Sequence, residues 1–385
     1  RPSNPDSPEQ KLINLATMPV NVAVVGFGMS ATVFHIPFIL AHPDQFSLKT
    51  IVERSATPTS SKARDAFPGV KVVNTLEEAL DDRDVDAVWI LTINDTHFDY
   101  VKQALSHGKH VVVEKPITPT SDEAQELANL ARDKNLVLAV YQNRRWDADF
   151  LTIKHLMSQG AFGEMSEFQS NFDRYRNEAA QTKQWKEKAL PGSGLAYDLG
   201  SHLVDQILDL FGAPQRVTGF VQNSRLIGNP DVPDQFLIHL HYDPQPSTAG
   251  RSLPLIATAR GSSLSLVSPQ LRFTVKGTKA SYVKHGLDVQ EDQLKKGGQD
   301  AVRDQGFGKE SSEASGVLYR LEKPSQPERI VSQQGRYAEW FANVADAISS
   351  NDRSRLIVTP EQAALTIKII ELATQSSKEG RTIDL

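Results

Sequence analysis

The stretch Val22-Ala-Val-Val-Gly-Phe-Gly-Met-Ser-Ala31 decides how the rest of the chain is organised. Its first four residues are apolar and predict a buried parallel strand, which Gly26 and Gly28 end before a helix begins. The G-x-G-x-x-A spacing is typical of a dinucleotide-binding turn: the first glycine allows a tight turn, the second lets a pyrophosphate approach the backbone, and Ala31 lets the helix pack closely. Alone, the pattern is weak, because glycine-rich turns also occur for local reasons. The cofactor contacts predicted here are Gly26, Phe27, Gly28, Met29 and Ala31.

The segments around this turn supply the context that the pattern requires. Short apolar runs alternate with helical patterns, and six of them read as strands: 22–25, 48–52, 70–73, 87–91, 110–113 and 136–140. Strands that alternate with helices form a doubly wound parallel sheet. The sequence therefore predicts an α/β protein whose residues 20–142 form a Rossmann domain that binds NAD or NADP.

Length and composition narrow the function classes. A chain of 385 residues is long enough for two domains, and a net charge of −5 gives no reason to expect nucleic acid or an anionic membrane as a partner. No apolar run approaches the ~20 residues that span a bilayer, and the first residues lack a signal-peptide core, so we expect a soluble, cytoplasmic protein. The absence of cysteine excludes disulfides, thiolate metal sites and cysteine nucleophiles. Residues 1–19 are polar and proline-rich and predict a flexible arm.

In a doubly wound sheet, ligands bind at the carboxyl ends of the strands. Glu53, Arg54 and Ser55 follow the second strand, where the adenosine ribose is expected. A ribose-binding acid at this place favours NAD, whereas Arg54 and Ser55 could bind the 2′-phosphate of NADP. Alternatively, Arg54 pairs only with Glu53 or with solvent, which leaves NAD preferred.

Polar residues also follow the fourth and fifth strands. Thr92, Asn94 and His97 could line the nicotinamide side of the cleft, although residues 94–96 also read as a helix N-cap cluster. Glu114 and Lys115 precede Pro116, and a residue before proline favours an extended conformation that would hold the lysine at the mouth of the sheet. The alternative for Lys115 is a solvated surface lysine.

Residues 143–385 have a different pattern and predict a second α/β domain that binds substrate and mediates oligomerisation. A helix at 149–159 precedes strands at 164–173, 216–221, 235–242, 253–259, 271–275 and 280–283, without long helices among them. These strands predict a large, mainly antiparallel sheet with one open face. Residues 286–316 are polar and glycine-rich and predict an extended loop. A capping box at 359–362 and Gly380 mark the two ends of a final helix.

Asp198 and His202 lie four residues apart at the start of a helix, so both side chains project from one face. A carboxylate beside an imidazole can act as an acid/base pair near neutral pH. The alternative is an N-cap aspartate with a packed histidine. His239 and His241 alternate on one strand and could in principle bind a metal, although we expect none there.

These motifs resemble the Gfo/Idh/MocA oxidoreductases, which pair a Rossmann domain with an open-faced α/β domain. The resemblance covers nearly everything after residue 20 and rests on Gly26-x-Gly-x-x-Ala31, Glu114-Lys-Pro116 and Asp198-x-x-x-His202. Further motifs resemble the branch that contains NADP-dependent scyllo-inositol dehydrogenase; they lie at 34–37, 94–97, 108–116, 143–147, 173–176, 197–202 and 282–288. Glu53 departs from that branch, where a small hydroxyl residue is more common.

The resemblance implies a hydride transfer between nicotinamide and a ring secondary alcohol or ketone of a cyclic polyol or sugar. By motif, His202 is the acid/base, Lys115 stabilises the developing alkoxide, and Asp198 orients the substrate. Positions that contact nicotinamide or substrate in relatives match Asn143, Arg145, Asp173 and Tyr175.

The resemblance also favours NADP over NAD and implies a homo-oligomer, most simply a dimer. Two alternatives remain open: a non-catalytic, nucleotide-binding sensor that regulates a partner protein, and an enzyme of this family that acts on an aromatic diol or a tetrapyrrole. The presence of Lys115, Asp198 and His202 argues against the sensor.

Overall fold

The computed structural model describes residues 18–178, 188–244 and 252–385. The flexible arm expected at residues 1–19 therefore lies almost entirely outside the described residues. Within the described ranges, no helix is both long enough and apolar enough to cross a membrane.

The first sheet has six parallel strands in the order β3-β2-β1-β4-β5-β6, which confirms the predicted doubly wound sheet. The strand order reverses between β1 and β4, and this switch point opens a crevice at the carboxyl edge of the sheet. The strands are β1 Val20–Val25, β2 Phe46–Val52, β3 Lys71–Val73, β4 Ala87–Ile90, β5 His110–Val113 and β6 Leu138–Val140.

Five helices connect these strands and cover the sheet. Helices α3 and α5 begin with capping boxes, Thr75 with Glu78 and Thr120 with Glu123, which satisfy the first free backbone N–H groups of each helix. The helices are α1 Ile36–Ala41, α2 Lys62–Ala66, α3 Leu76–Leu80, α4 His97–Ser106 and α5 Ser121–Asp133.

The second sheet has nine strands in the order β14-β13-β12-β11-β7-β10-β9-β8-β15, and only the β7–β10 pair is parallel. The mainly antiparallel sheet is therefore confirmed, with three further short strands that the sequence did not reveal: β13, and the edge strands β14 and β15. Its strands are β7 Met165–Asp173, β8 Arg216–Gln222, β9 Gln235–Tyr242, β10 Leu255–Ser262, β11 Leu271–Gly277, β12 Ala280–His285, β13 Gly316–Arg320, β14 Glu328–Ile330 and β15 Ile383–Asp384.

One face of this sheet packs against helices α6 Ala148–Ser158, α7 Ser201–Phe211 and α10 Pro360–Glu379. Along β9, buried Phe236, Ile238, Leu240 and Tyr242 alternate with half-exposed residues on the other face, which we call the open face. Helix α10 has the predicted capping box and ends at Gly380 in the left-handed conformation, so both of its predicted ends are confirmed. That the chain forms a homo-oligomer, most simply a dimer, stays a prediction.

The extended loop predicted for residues 286–316 is wrong, because helix α8 occupies Gln290–Arg303. The carboxylate of Asp288 anchors the start of α8 by accepting hydrogen bonds from the backbone N–H groups of Gln290 and Ala148, both at 2.7 Å. No helical pattern is visible in this segment because α8 has a single fully buried apolar side chain, Leu294, and a kink at Gly298. Its packing against α1 replaces the missing apolar stripe.

The C-terminal half of the chain also returns to the first sheet. In α9 (Tyr337–Ser349), Trp340 packs edge-on against Tyr141 with ring centroids 4.8 Å apart. The ring of Phe341 stacks on Phe38 at 4.5 Å. Helices from residues 143–385 thus complete the core of the Rossmann sheet, and the division of the chain at residue 143 stays a prediction.

Close packing of β8 against α10 gives a test of this arrangement. A Cβ at Gly219 would overlap the backbone carbonyl of Ala373, whereas a Cβ at Gly69 would meet no atom within 4 Å. We expect Gly219→Ala to lower the free energy of unfolding by about 1–3 kcal/mol, the usual cost of overpacking, and Gly69→Ala to have little effect. Urea unfolding followed by circular dichroism measures both. Equal stability of the two variants would contradict the packing described.

Candidate active site

A single cleft of about 1410 Å³ runs along the carboxyl edge of the first sheet and is closed on its far side by the second sheet. Its volume exceeds that of pockets for drug-sized ligands, which reach about 1,000 Å³. The cleft can therefore hold a dinucleotide together with a second, smaller molecule.

The glycine turn forms one end of this cleft. Gly26 has a φ of +94°, and a Cβ there would lie 3.1 Å from the carbonyl oxygen of Leu91. A Cβ at Gly28 would meet nothing within 4 Å, so the backbone at Gly28 faces open space. Ala31 is fully buried in a π-helical turn, Ser30–His35, that precedes α1. Together these residues form a bare backbone cradle that fits a pyrophosphate, with Phe27 and Met29 also in the cleft wall.

Glu53 lines the cleft, but its carboxylate is held at the start of α2. Its carboxylate accepts hydrogen bonds from the Ser61 hydroxyl at 2.6 Å and from the backbone N–H groups of Lys62 and Ala63 at 3.2 and 3.0 Å. Burial of this carboxylate tends to raise its pKa, but these hydrogen bonds outweigh burial and the pKa of Glu53 is lowered. Glu53 is therefore an ionised cap on the N-terminus of α2.

Arg54 and Ser55 are exposed in the wall of the cleft directly beside this cap. The Arg54 guanidinium makes no hydrogen bond or ion pair with any residue that the structure describes. The alternative interpretation, in which Arg54 pairs with Glu53, is therefore not supported. The cation thus stands next to a carboxylate whose oxygens are directed at α2.

Beyond β4, Thr92 and Asn94 lie in the cleft wall. The hydroxyl of Thr92 is 2.6 Å from that of Thr96, and the Asn94 amide donates to the carbonyl of Gly192 at 3.2 Å. His97, by contrast, is fully buried, with Nδ1 2.8 Å from the carbonyl oxygen of Pro116. The expectation that His97 lines the cleft is not supported, because its ring supports the Lys115–Pro116 segment from below.

Glu114 and Lys115 stand at the end of β5, and the Lys115–Pro116 peptide bond is cis. The carboxylate of Glu114 accepts hydrogen bonds from Ser30 and from His35 Nε2, the latter at 3.1 Å, so it ties β5 to the glycine turn. Asn143 is buried in the cleft wall near these groups. The Lys115 side chain extends across the cleft to the second half of the chain.

Lys115 Nζ donates to the backbone carbonyl of Asp198 at 2.7 Å and lies 3.4 Å from its Oδ1. A π-helical turn, Ala196–Gly200, carries Asp198 and leads into α7, whose second residue is His202. All three side chains line the same cleft, so the structure brings together the three predicted catalytic residues. Single-turn π-helices of this kind occur frequently at functional sites.

His202 is only 6% exposed, and its Nδ1 has no hydrogen-bond partner among the described residues. Burial lowers its pKa well below 6.5, and the positive charges of Lys115 and Arg144 lower it further. The imidazole is therefore neutral at physiological pH and can accept a proton from a molecule in the cleft.

The predicted substrate contacts Arg145, Asp173 and Tyr175 do not line the cleft. Arg145 is buried and forms a two-pronged ion pair with Asp205 at 2.7 and 2.8 Å, which anchors α7. Asp173 pairs with Arg260 at 3.2 Å, and Tyr175 is 51% exposed outside the cleft.

The neighbouring residues Arg144, Arg174 and Arg176 line the cleft instead. Side chains alternate between the two faces of an extended strand, so Arg174 and Arg176 continue the face of β7 that carries buried Phe172. The sequence alone was enough to predict this alternation.

Glu291 and Lys295 also line the cleft. The sequence analysis could not predict their place because it missed helix α8, which carries them.

His239 and His241 face the hydroxyls of Thr258 and Thr218, at 2.9 and 2.8 Å. Across the described ranges, no group of three or more possible metal ligands is brought together.

Comparison with known proteins agrees with this architecture. Residues 20–142 match the NAD-binding Rossmann fold of an oxidoreductase family, and residues 154–385 match its C-terminal alpha/beta domain. An uncharacterized oxidoreductase of Schizosaccharomyces pombe is 43% identical, with 95% of this chain and 99% of the relative covered. The NADP-dependent scyllo-inositol 2-dehydrogenase IolW of Bacillus subtilis is 35% identical, covering 95% of this chain and 96% of that protein.

The structure of the Bacillus subtilis oxidoreductase yvaA has a TM-score of 0.85 at 34% identity, with 96% of this chain and 99% of that chain covered. Matches of this extent define the class as an oxidoreductase with an NAD-binding Rossmann domain. More particularly, the chain belongs to the Gfo/Idh/MocA family, which confirms the resemblance seen in its motifs.

The environment of His202 leads to a prediction about pH. A lowered pKa means that His202 stays neutral as the pH falls through 6.5 and gains its proton only in more acidic solution. Because Lys115 contributes a positive charge, Lys115→Met should raise the pKa of His202 toward 6.5, whereas Lys134→Met on the surface should not. NMR titration of the His202 ring signals measures the pKa in each protein, and the signals are assigned by their absence in His202→Gln. A wild-type midpoint at or above pH 6.5 would contradict the described burial.

Proposed function

We propose that the protein transfers a hydride between nicotinamide and a ring carbon of a cyclic polyol or sugar, interconverting a secondary alcohol and a ketone. The observation that carries this proposal is the meeting of Lys115, Asp198 and His202 in the cleft that begins at the glycine turn. The nicotinamide, when bound, supplies the hydride acceptor or donor.

In the direction of alcohol oxidation, neutral His202 accepts the hydroxyl proton while the C–H bond loses its hydride. The Lys115 ammonium donates a hydrogen bond to the oxygen, which stabilises the developing alkoxide. Asp198 holds the ammonium in place through its carbonyl and its carboxylate. Ketone reduction reverses each transfer, and the proton then returns from His202.

Removing either group at the reacting carbon should abolish most turnover. We expect His202→Gln and Lys115→Met to lower kcat/KM by about 10²–10⁴-fold, the contribution of general acid/base catalysis, while nucleotide affinity stays close to wild type. Inositols, aldoses and their keto forms are assayed by nicotinamide absorbance, with the exposed His155→Gln as control.

Wild-type turnover in folded His202→Gln would contradict its role as the acid/base. If none of these compounds is turned over and nucleotide still binds tightly, the sensor hypothesis is favoured. If the enzyme turns over only an aromatic diol or a tetrapyrrole, the alternative substrate class is favoured.

We propose further that NADP is preferred over NAD. The carboxylate oxygens of Glu53 already accept hydrogen bonds at the start of α2, which makes them less available to the ribose hydroxyls and weakens the repulsion that a ribose-binding acid exerts on a 2′-phosphate. Arg54 and Ser55 can then bind that phosphate. The NADP dependence stated in the name of the relative IolW supports the same preference.

The Arg54→Ala variant tests this preference. A charge-assisted contact contributes ~1.5–3 kcal/mol, so the ratio of kcat/KM for NADP to that for NAD should fall roughly 10- to 150-fold. The control Arg83→Ala removes an equal charge from an exposed position outside the cleft. A wild type that prefers NAD would show that Glu53 does not decide the cofactor in the way proposed.

A further inference from the structure

Three arginines, Arg174, Arg176 and Arg225, line the cleft on the side of the second sheet, next to Asp198. Neither the hydride transfer nor the cofactor contacts proposed above use them. Arg174 and Arg225 pair with carboxylates of the protein, but a neutral polyol would give Arg176 no charged partner, so three arginines on this side of the cleft need another explanation.

Arg174 and Lys115 share the carboxylate of Asp198. The NH2 atom of Arg174 is 3.2 Å from Asp198 Oδ2, while Lys115 Nζ is 3.4 Å from the other oxygen of the same carboxylate. The Nε atom of Arg174 is buried and has no hydrogen-bond partner among the described residues. Burial lowers the pKa of Arg174, and the nearby charges of Arg176 and Arg225 add to the effect despite the attraction of Asp198.

Arg225 holds the segment that carries Arg176. Its Nε donates to Asp234 at 2.6 Å, and its NH1 donates to the backbone carbonyl of Arg176 at 2.8 Å. The backbone N–H of Arg176 donates to the carbonyl of Ser263 at 2.9 Å. The position of Arg176 is thus set from both sides.

The guanidinium of Arg176 itself is exposed at the cleft and pairs with no carboxylate among the residues that the structure describes. Asp234 is already engaged by Arg225, and Asp198 is already shared by Lys115 and Arg174. Glu178 also lines the cleft, but no ion pair joins its carboxylate to Arg176, so the Arg176 guanidinium can attract an anion that enters the cleft.

We propose that Arg174 and Arg176, with Arg225 as their support, bind an anionic substituent on the substrate ring. Guanidinium groups bind carboxylate and phosphate oxygens through paired hydrogen bonds, and both anions share this chemistry. The preferred substrates are then ring sugars or cyclitols that carry a carboxylate or a phosphate, rather than neutral polyols. This inference rests on the proposed function, because it names the substrate class of the same site.

Matched compounds test the inference: D-glucose, D-glucuronate and D-glucose 6-phosphate, and myo-inositol with its monophosphate. We expect a higher kcat/KM for an anionic member than for its neutral counterpart, and the better of the two anions distinguishes carboxylate from phosphate. In Arg176→Gln, the ratio of anionic to neutral kcat/KM should fall by about tenfold or more, mainly through KM. The control Arg260→Gln lies on the open face of the same sheet and should leave the ratio unchanged.

Equal kcat/KM values for neutral and anionic compounds, together with an unchanged ratio in Arg176→Gln, would overturn the inference while the proposed hydride transfer stands. If no compound is turned over, the proposed function fails, and binding then tests the arginine site separately. Calorimetric titration of D-glucuronate and D-glucose 6-phosphate into the enzyme with NADP should show weaker binding in Arg176→Gln than in wild type. Equal affinity in the two proteins would overturn the inference.

Discussion

The contact between Lys115 and Asp198 is the interaction on which the rest of the site depends. It joins the end of β5 in the first sheet to the π-helical turn that precedes α7, and so connects the two halves of the chain across the cleft. An ammonium in a narrow cleft needs oxygen partners, and Asp198 supplies both a carbonyl and a carboxylate. Burial lowers the pKa of His202, and the same positive charge lowers it further. The Lys115–Asp198 pair therefore positions the proposed hydrogen-bond donor and adds to the effect of burial in keeping the proposed proton acceptor neutral.

Glu53 shows how a local hydrogen-bond requirement can decide a property of the cofactor site. Helix α2 has only five residues, and its first N–H groups need acceptors. Glu53 accepts from the N–H groups of Lys62 and Ala63 and Ser61 accepts from that of Arg64, so the carboxylate of Glu53 is held at the start of α2 in the wall of the cleft. In many Rossmann domains an acid at this place binds the ribose, whereas Glu53 acts here as a helix cap. Arg54 is then the charged side chain that would face the adenosine of a bound dinucleotide.

The sequence predicted both sheets because their strands are apolar runs with clear boundaries, and it predicted Lys115, Asp198 and His202 because each lies in a motif of fixed spacing. It failed for α8, whose stability comes from the Asp288 cap and from packing against α1 instead of an amphipathic pattern. Motif matching also selected Arg145 and His97, which are buried supports. A motif records which residues occur together, but burial decides which of them reach the cleft.

Asp173 and Arg174 illustrate a physical rule that could have corrected the motif. Phe168, Ser170 and Phe172 are buried on the helix-covered face of β7, so side chains of even number lie on that face and Asp173 lies on the other. The extended chain keeps this alternation through Arg174 and Arg176, and both arginines therefore enter the cleft. Because Arg174 and Lys115 pair with the two oxygens of the Asp198 carboxylate, a charge bound near Arg174 is coupled through that carboxylate to the Lys115 ammonium. An anion bound as proposed would share the Arg174 guanidinium with Asp198 and leave more of the carboxylate's charge to Lys115, which would link the proposed substrate recognition to the position of the proposed catalytic lysine.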